Sequence, residues 1–276
     1  MFYEDRSNMP EVSVLMGTYN EKNHEHTALA IDSILCQTFT DFEFLICDDG
    51  SAAMFYNWLA RYCKKDDRIR VFHNRQNQGL AAALNRCLRY AEGRYLARMD
   101  ADDVSKPNRL EKQVAFLRKH KKYALVGCGV QLIGGDGVWG RRMPEEIPVK
   151  KSFLSTSPFI HPTIMIRREV MLSLHGYCES RKMLRAEDYD FFMRLYAAGY
   201  VGYNIQDMLF QYREDLNAYE KRKYRYRVNE CLVRYLGFRR LRILKGNFRY
   251  VCRPLAVGMI PQKLMYYIRR TRFGAK

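Results

Sequence analysis

The chain has 276 residues, enough for one large α/β domain or two small ones, and its 47% hydrophobic content excludes a disordered polymer. The formal net charge is +17, yet residues 217–276 hold 17 Lys or Arg against two acids, so the body is nearly neutral and the basic character belongs to the end of the chain. Eight cysteines without a Cys-x-x-Cys pair exclude zinc ribbons and dithiol redox motifs, and no apolar run approaches the ~20 residues of a membrane span. The polar start MFYEDRSNMP does not read as a secretory leader, so reduced thiols in the cytoplasm are expected.

VSVLM (12–16) is a short apolar strand that runs into the turn residues GTYN. Residues 27–36 have helical spacing, with Leu29, Ile31, Ile34 and Leu35 on one face. FEFLIC (42–47) is a second strand, ending in Asp48, Asp49, Gly50 and Ser51. A helix over about 53–63, a third strand in IRVFHN and a helix between Gly79 and Gly93 follow, and RYLARM is a fourth strand that delivers the chain to Asp100. Strands alternating with helices predict a mostly parallel sheet covered on both faces, with its ligand crevice outside the carboxyl ends of the strands. Three of those ends carry suggestive chemistry: Gly17 to Asn20, Asp48 to Ser51, and Asp100 to Asp103.

Beyond residue 105 the spacing predicts a helix from about Pro107 to His120 and a strand in YALVGCGVQLI. GGDGVWG reads as a glycine-rich loop, without the Lys-Ser/Thr ending of a P-loop. HPTIMIRREVM resembles a strand entering a helix, and EDYDFFMRLYAAGY an amphipathic helix ended by Gly199.

The carboxylates admit two readings each. Asp-x-Asp in an extended segment puts alternate side chains on one side, a partial oxygen cage suited to Mg²⁺ or Mn²⁺; the same DADDVSKP is also ordinary turn and cap composition. Position at a fourth strand end, beside Asp48 and Asp49, favours the cation, with Asp103 left to cap the following turn. One of Asp48 and Asp49 either caps a helix or bonds a nucleobase or ribose, with Tyr19 stacking on the same base or simply packing. Glu187 and Asp188 suit a helix N-terminus, and a carboxylate there can also face a cleft as a general base. Asp190 and Arg194 are spaced for a helix ion pair, and His161 is placed in the same cleft or in the core.

In order along residues 10–213, PEVSVLMGTYN, SILCQTFTDFEFLICDDGS, NQGLAAALNRCLRYAEGRYLARMDADD, HPTIMIRREV and AEDYDFFMRL resemble glycosyltransferase family 2, the inverting nucleotide-sugar transferases of GT-A fold. The resemblance implies an α/β GT-A domain over residues 1–216, with a Rossmann-like nucleotide-binding half (10–105) and an acceptor half (106–216), followed by a basic amphipathic helical segment (217–276). It also implies that Tyr19 and Asp49 hold the donor base, with Gly17 contributing backbone only. Asp100 lies near ribose and metal, Asp102 ligates the divalent cation, and Asp188 is the catalytic base. Arg185, Glu187 and His161 are candidate diphosphate or acceptor contacts. A UDP-sugar is the expected donor and a lipid-linked glycan of bacterial surface polysaccharide the expected acceptor. Processive synthases carry Gln-x-x-Arg-Trp and several spans; LFQYREDLNAY lacks that Trp, which points to transfer of a single sugar.

The basic segment interleaves Arg and Lys with Tyr, Phe, Leu and Ile. Short amphipathic pieces on an anionic membrane surface fit this better than a solvated face, which places the protein peripherally on the inner face of the plasma membrane. Nucleic acid is not expected, because acids gathered at strand ends repel phosphates; a nucleotidyltransferase is the enzymatic alternative and would release pyrophosphate.

Overall fold

The computed structural model describes residues 9–135, 137–214 and 224–274. The expected boundary at 216/217, Asp136 of the glycine-rich stretch and the first eight residues lie outside them. Four parallel strands, β1 (Val12–Thr18), β2 (Phe42–Asp48), β3 (Ile69–His73) and β4 (Tyr95–Asp100), are joined by helices α1 (His24–Leu35), α2 (Ala53–Cys63) and α3 (Leu80–Tyr90). Their spatial order is β3-β2-β1-β4, so the chain reverses direction across the sheet between β1 and β4 and opens a crevice at their carboxyl ends. β1 and β2 are buried along their whole length, which is why they read as continuous apolar runs rather than alternating ones. α1 begins three residues earlier than its apolar spacing suggests, because the Asn23 side chain accepts the Glu25 N–H and caps it.

The second half extends the same sheet with mixed strand directions. β6 (Tyr123–Gly134) runs parallel to β9 (Val201–Arg213), and β8 (Met165–Arg167) lies antiparallel between β4 and β6. β5 (Val104–Ser105) pairs antiparallel with the end of β9. The glycine-rich stretch is a hairpin rather than a loop: Gly137–Arg142 forms β7 against β6. α4 (Arg109–Lys119), α5 (Arg168–Ser173) and α6 (Glu187–Ala197) cover the sheet, with α6 ending just before Gly199, whose φ of +89° suits its left-handed position. The strand β9, with its mixed polar and apolar order, was invisible to periodicity.

Two apolar layers sandwich the sheet. On one side Ala30, Ile31, Ile34, Leu59, Leu110 and Val114 pack on Val14, Phe44 and Ala97; on the other Leu84, Cys87, Phe191 and Phe192 pack on Leu45 and Leu96. The second layer also takes in Val233, Phe238, Leu241 and Val251 from the basic end of the chain. There α7 (Arg225–Arg240) lies directly on α6: a Cβ on Gly237 would stand 2.1 Å from Met193 Sδ. Buried Asp190 accepts from Arg194 Nε at 2.7 Å, the expected helix pair, and also from Arg240 Nη1 of α7 at 3.0 Å. α7 is thus part of the core, not a piece lying on a surface. α8 (Phe248–Gly258) packs on α7, and α9 (Gln262–Phe273) is strapped to β7 by a bridge between Gly140 and Gly274. Gly140 permits that strap, since a Cβ there would meet Phe273 O at 2.4 Å.

Candidate active site

β4 ends in the acids. Residues two apart on a strand share a face, so Arg98 and Asp100 project to the same side, and Arg98 Nη1 lies 2.5 Å from Asp100 Oδ1. Arg98 is buried and, among the described residues, none of its nitrogens makes a well-aligned hydrogen bond. Carboxylate oxygens of Asp100, Asp102 and Asp103 lie within 4.8 Å of one another. Asp103 is not a turn cap: it is buried, its Oδ1 accepts the Arg213 N–H at 2.7 Å, and its Oδ2 has no hydrogen-bond partner among the described residues. Arg213 Nε also donates to Asp102 O at 2.8 Å, so the end of β9 holds the acid turn in place. Burial and the neighbouring Asp102 and Asp100 charges raise the Asp103 pKa well above the carboxylate range. Clustered hard oxygen donors of one sign fit a Mg²⁺- or Mn²⁺-like ion, which takes one or two carboxylates and completes its shell with water and phosphate oxygens.

These acids line a cavity of about 540 Å³ together with His161, Arg185, Glu187 and Asp188. Asp188 is the second residue of α6, where burial first and the Glu187 charge second push its carboxyl up to about 7. Glu187 is buried, its Oε2 has no hydrogen-bond partner among the described residues, and burial raises its pKa as well. The helix N-terminus partly offsets both shifts through backbone N–H groups. Arg185, exposed and held at φ +71°, precedes this pair in a conformation non-glycine residues rarely adopt. His161 lies 2.8 Å from Tyr177 Oη through Nε2, and burial with the nearby Arg98 charge holds the imidazole neutral.

The three expected base contacts sit apart from the cavity lining. Gly17 is buried in β1 opposite Asp100 and lets α3 close on the strand: a Cβ would meet Leu80 Cδ1 at 3.0 Å, and Leu80 lines the cavity. Tyr19, half exposed at the end of β1, is next to Asn20, whose N–H donates to Ser51 Oγ at 2.7 Å and whose Oδ1 accepts from Ala52 N at 2.9 Å. Asp49 is buried, and its carboxylate accepts from Asn74 Nδ2 and from the N–H groups of Gln78 and Gly79. It therefore fixes the loop that leads into α3. Asp48, equally buried, accepts from Ser51 N and lies 2.7 Å from His73 Nδ1.

Sequence reasoning did not single out Arg98, Arg142, Tyr212 or Arg213, all of which line the cavity. Arg98 carried a readable signal, its two-residue spacing from Asp100 on a strand; the others come from β7 and β9, far along the chain. Arg227, Glu230, Arg234 and Arg269 of the basic segment also reach the cavity: Arg234 Nη2 pairs with Glu230 Oε1 at 3.0 Å, Arg227 Nη1 with Glu230 Oε2 at 3.1 Å, and Arg269 with Glu214 just past the end of β9.

Residues 13–191 match the family profile described as glycosyl transferase family 2. EpsE of Bacillus subtilis, bearing a glycosyltransferase name, is 38% identical over 268 residues, 95% of this chain and 94% of its own length. WbnJ of Escherichia coli, an O-antigen biosynthesis glycosyltransferase, is 33% identical over 187 residues, 67% of this chain and 71% of its own. Among solved structures, the mannosyltransferase PcManGT of Pyrobaculum calidifontis, in complex with GDP-Man and Mn²⁺, superposes with a TM-score of 0.64 at 16% identity, covering 97% of this chain and 81% of that one. The sheet with its switch point at β1 and β4, the acid triad at that edge and these matches over most of both chains lead to one assignment: the chain belongs to glycosyl transferase family 2 and is a glycosyltransferase of GT-A fold.

Proposed function

We propose that the protein transfers one sugar, with inversion, from a nucleoside-diphosphate sugar to an acceptor hydroxyl during assembly of a surface polysaccharide. The reading is carried by one observation: a single cavity holds the Asp100–Asp103 cluster and a carboxylate, Asp188, whose proton affinity is tuned to neutral pH. Asp102 and Asp100 would hold a divalent cation, Mn²⁺ or Mg²⁺; when bound, such an ion offsets the charge that builds on a departing diphosphate. Asp188 takes the proton of the acceptor hydroxyl at its carboxylate, and Arg98, at Asp100, adds fixed positive charge to the same wall. Tyr19 offers an exposed ring to the donor base, and Asp49 serves it by holding the loop at residues 74–79. The surface-polysaccharide context rests on the kinship with WbnJ, and the cation on the acid cluster together with the Mn²⁺ bound by PcManGT.

The test is a panel of UDP-, GDP- and TDP-sugars with Mn²⁺ or Mg²⁺, read by nucleoside diphosphate release and by donor binding; absence of both across the panel would sink the proposal.

A membrane-bound acceptor suits the far end of the chain. Among the described residues no helix is long and apolar enough to cross a membrane, but Phe248, Met259, Leu264, Tyr267 and Ile268 are exposed among Arg249, Arg270 and Arg272. Each basic residue near an anionic surface contributes about 1 kcal/mol, so a few of them support reversible docking. Co-sedimentation with phosphatidylglycerol vesicles but not with phosphatidylcholine vesicles is expected; equal or absent binding to both counts against it.

A further inference from the structure

The turn that carries the acids is held from outside the strand that delivers it. Carboxylate oxygens of Asp100, Asp102 and Asp103 crowd within 4.8 Å of one another, and the buried Oδ2 of Asp103 has no hydrogen-bond partner among the described residues. Like charges this close drive such a turn apart unless other groups fix its backbone. Arg213, the last residue of β9, does so at two points: its N–H donates to Asp103 Oδ1 at 2.7 Å and its Nε to Asp102 O at 2.8 Å.

What fixes Arg213 lies one residue on. The Glu214 N–H donates to Ile133 O of β6 at 3.0 Å. Its buried carboxylate takes both prongs of Arg269, Nε at Oε1 and Nη2 at Oε2, each at 3.0 Å. Arg269 belongs to α9, which is joined to β7 by the Gly140–Gly274 bridge and by the Arg270 guanidinium, 5.7 Å from the Trp139 ring centroid. A continuous series of contacts therefore runs from the basic end of the chain to the acid turn: α9, Arg269, Glu214, Arg213, then Asp102 and Asp103. A guanidinium and a carboxylate bonded at two points, largely shielded from water, have one well-defined geometry, so Arg269 sets the position of Glu214 rather than merely attracting it.

We propose that Arg269 is a positioning residue for the cation site: its two-pronged hold on Glu214 keeps Arg213 where it spaces the Asp102–Asp103 turn for a divalent ion. This role rests on Asp102 as a cation ligand, which titration of Asp102→Asn tests separately. Positioning differs from simple charge in the sign of its effect. Through space, removing the Arg269 charge would tighten the binding of a cation, removing the Glu214 charge would loosen it, and removing both would leave it nearly unchanged. A displaced turn loosens it in all three cases.

The probe is Mn²⁺ alone, titrated into the metal-free protein and read by paramagnetic resonance; no nucleotide is present, so contact of Arg269 with a substrate cannot contribute. Arg269→Gln and Glu214→Gln should each weaken Mn²⁺ binding at least about fivefold, and the double variant should be no weaker than the weaker single one. Arg269→Lys, which keeps the charge but loses the fork, should weaken it by less. Urea unfolding and near-ultraviolet circular dichroism report that each variant is folded. The double variant leaves neither partner charged and alone, so it carries the test where a single variant unfolds. Tighter binding in Arg269→Gln, wild-type affinity in the folded double variant, or losses that simply add overturn the proposal. A wild type that binds no Mn²⁺ removes the cation reading itself, and this role with it.

Discussion

Replacing Asp188 by Asn should stabilise the protein above neutral pH while removing its activity. Burial and the Glu187 charge carry the carboxyl from 3.8 to about 7 in the folded chain. At ~1.4 kcal/mol per pH unit that is a ceiling of about 4 kcal/mol in favour of the neutral form. The unfolded chain releases this proton near pH 4 and the folded chain only near 7, so between them the folded state binds more protons. Stability from this group therefore falls as pH rises through that window, and the full penalty is present above pH 7. Asparagine does not titrate. The variant should match the wild type near pH 4 and exceed it at pH 8 by about 1–3 kcal/mol, less than the ceiling because water enters the open cavity. Loss of a general base costs about 10²- to 10⁴-fold in turnover. Urea unfolding of the metal-free protein at pH 5 and pH 8, with nucleoside diphosphate release and donor binding at pH 8, reads both effects. A variant with near-normal turnover, or with the same stability difference at both pH values, refutes the base assignment or the electrostatics behind it.

Glu187→Gln removes the second cause of the Asp188 shift, so the acid limb of the pH–rate profile should move to lower pH; an unmoved limb would show that the two carboxylates do not communicate. Asp102→Asn should need at least about tenfold more Mn²⁺ for half-maximal binding in a paramagnetic-resonance titration, and EDTA should halt the wild type reversibly. Gly237→Ala forces a methyl group against Met193 and should cost about 1–3 kcal/mol in urea unfolding, partly recovered with Met193→Ala; no loss would mean that α7 does not pack on α6.

The first hundred residues were readable because their signals are local. Gly79 and the uninterrupted apolar strands each act within a few residues, and the acids at the ends of β2 and β4 follow from strand order alone. Asp49 marks the limit. Its place at a strand end was legible, but its four hydrogen bonds go to residues 74–79, so its main work on the loop is written 25 to 30 residues away. Asp103 fails for the same reason at longer range, since its partner is the backbone of Arg213, 110 residues on. β9 itself pairs with β6 and β5 through backbone groups that no side-chain pattern reports.

Charge composition was the least reliable guide, and the reason is geometric. A net charge counts cations without saying which acid faces them. Arg240 reaches Asp190 across 50 residues and Arg269 reaches Glu214 across 55, so basic residues at the chain end neutralise acids set in its body. Arg234 is buried against backbone oxygens of Leu154, Ser155 and Tyr250, where it does structural work that any surface partner would undo. What remains for an outside partner is the smaller set of exposed cations along α8 and α9, such as Arg249 and Arg272, which suits a broad anionic surface.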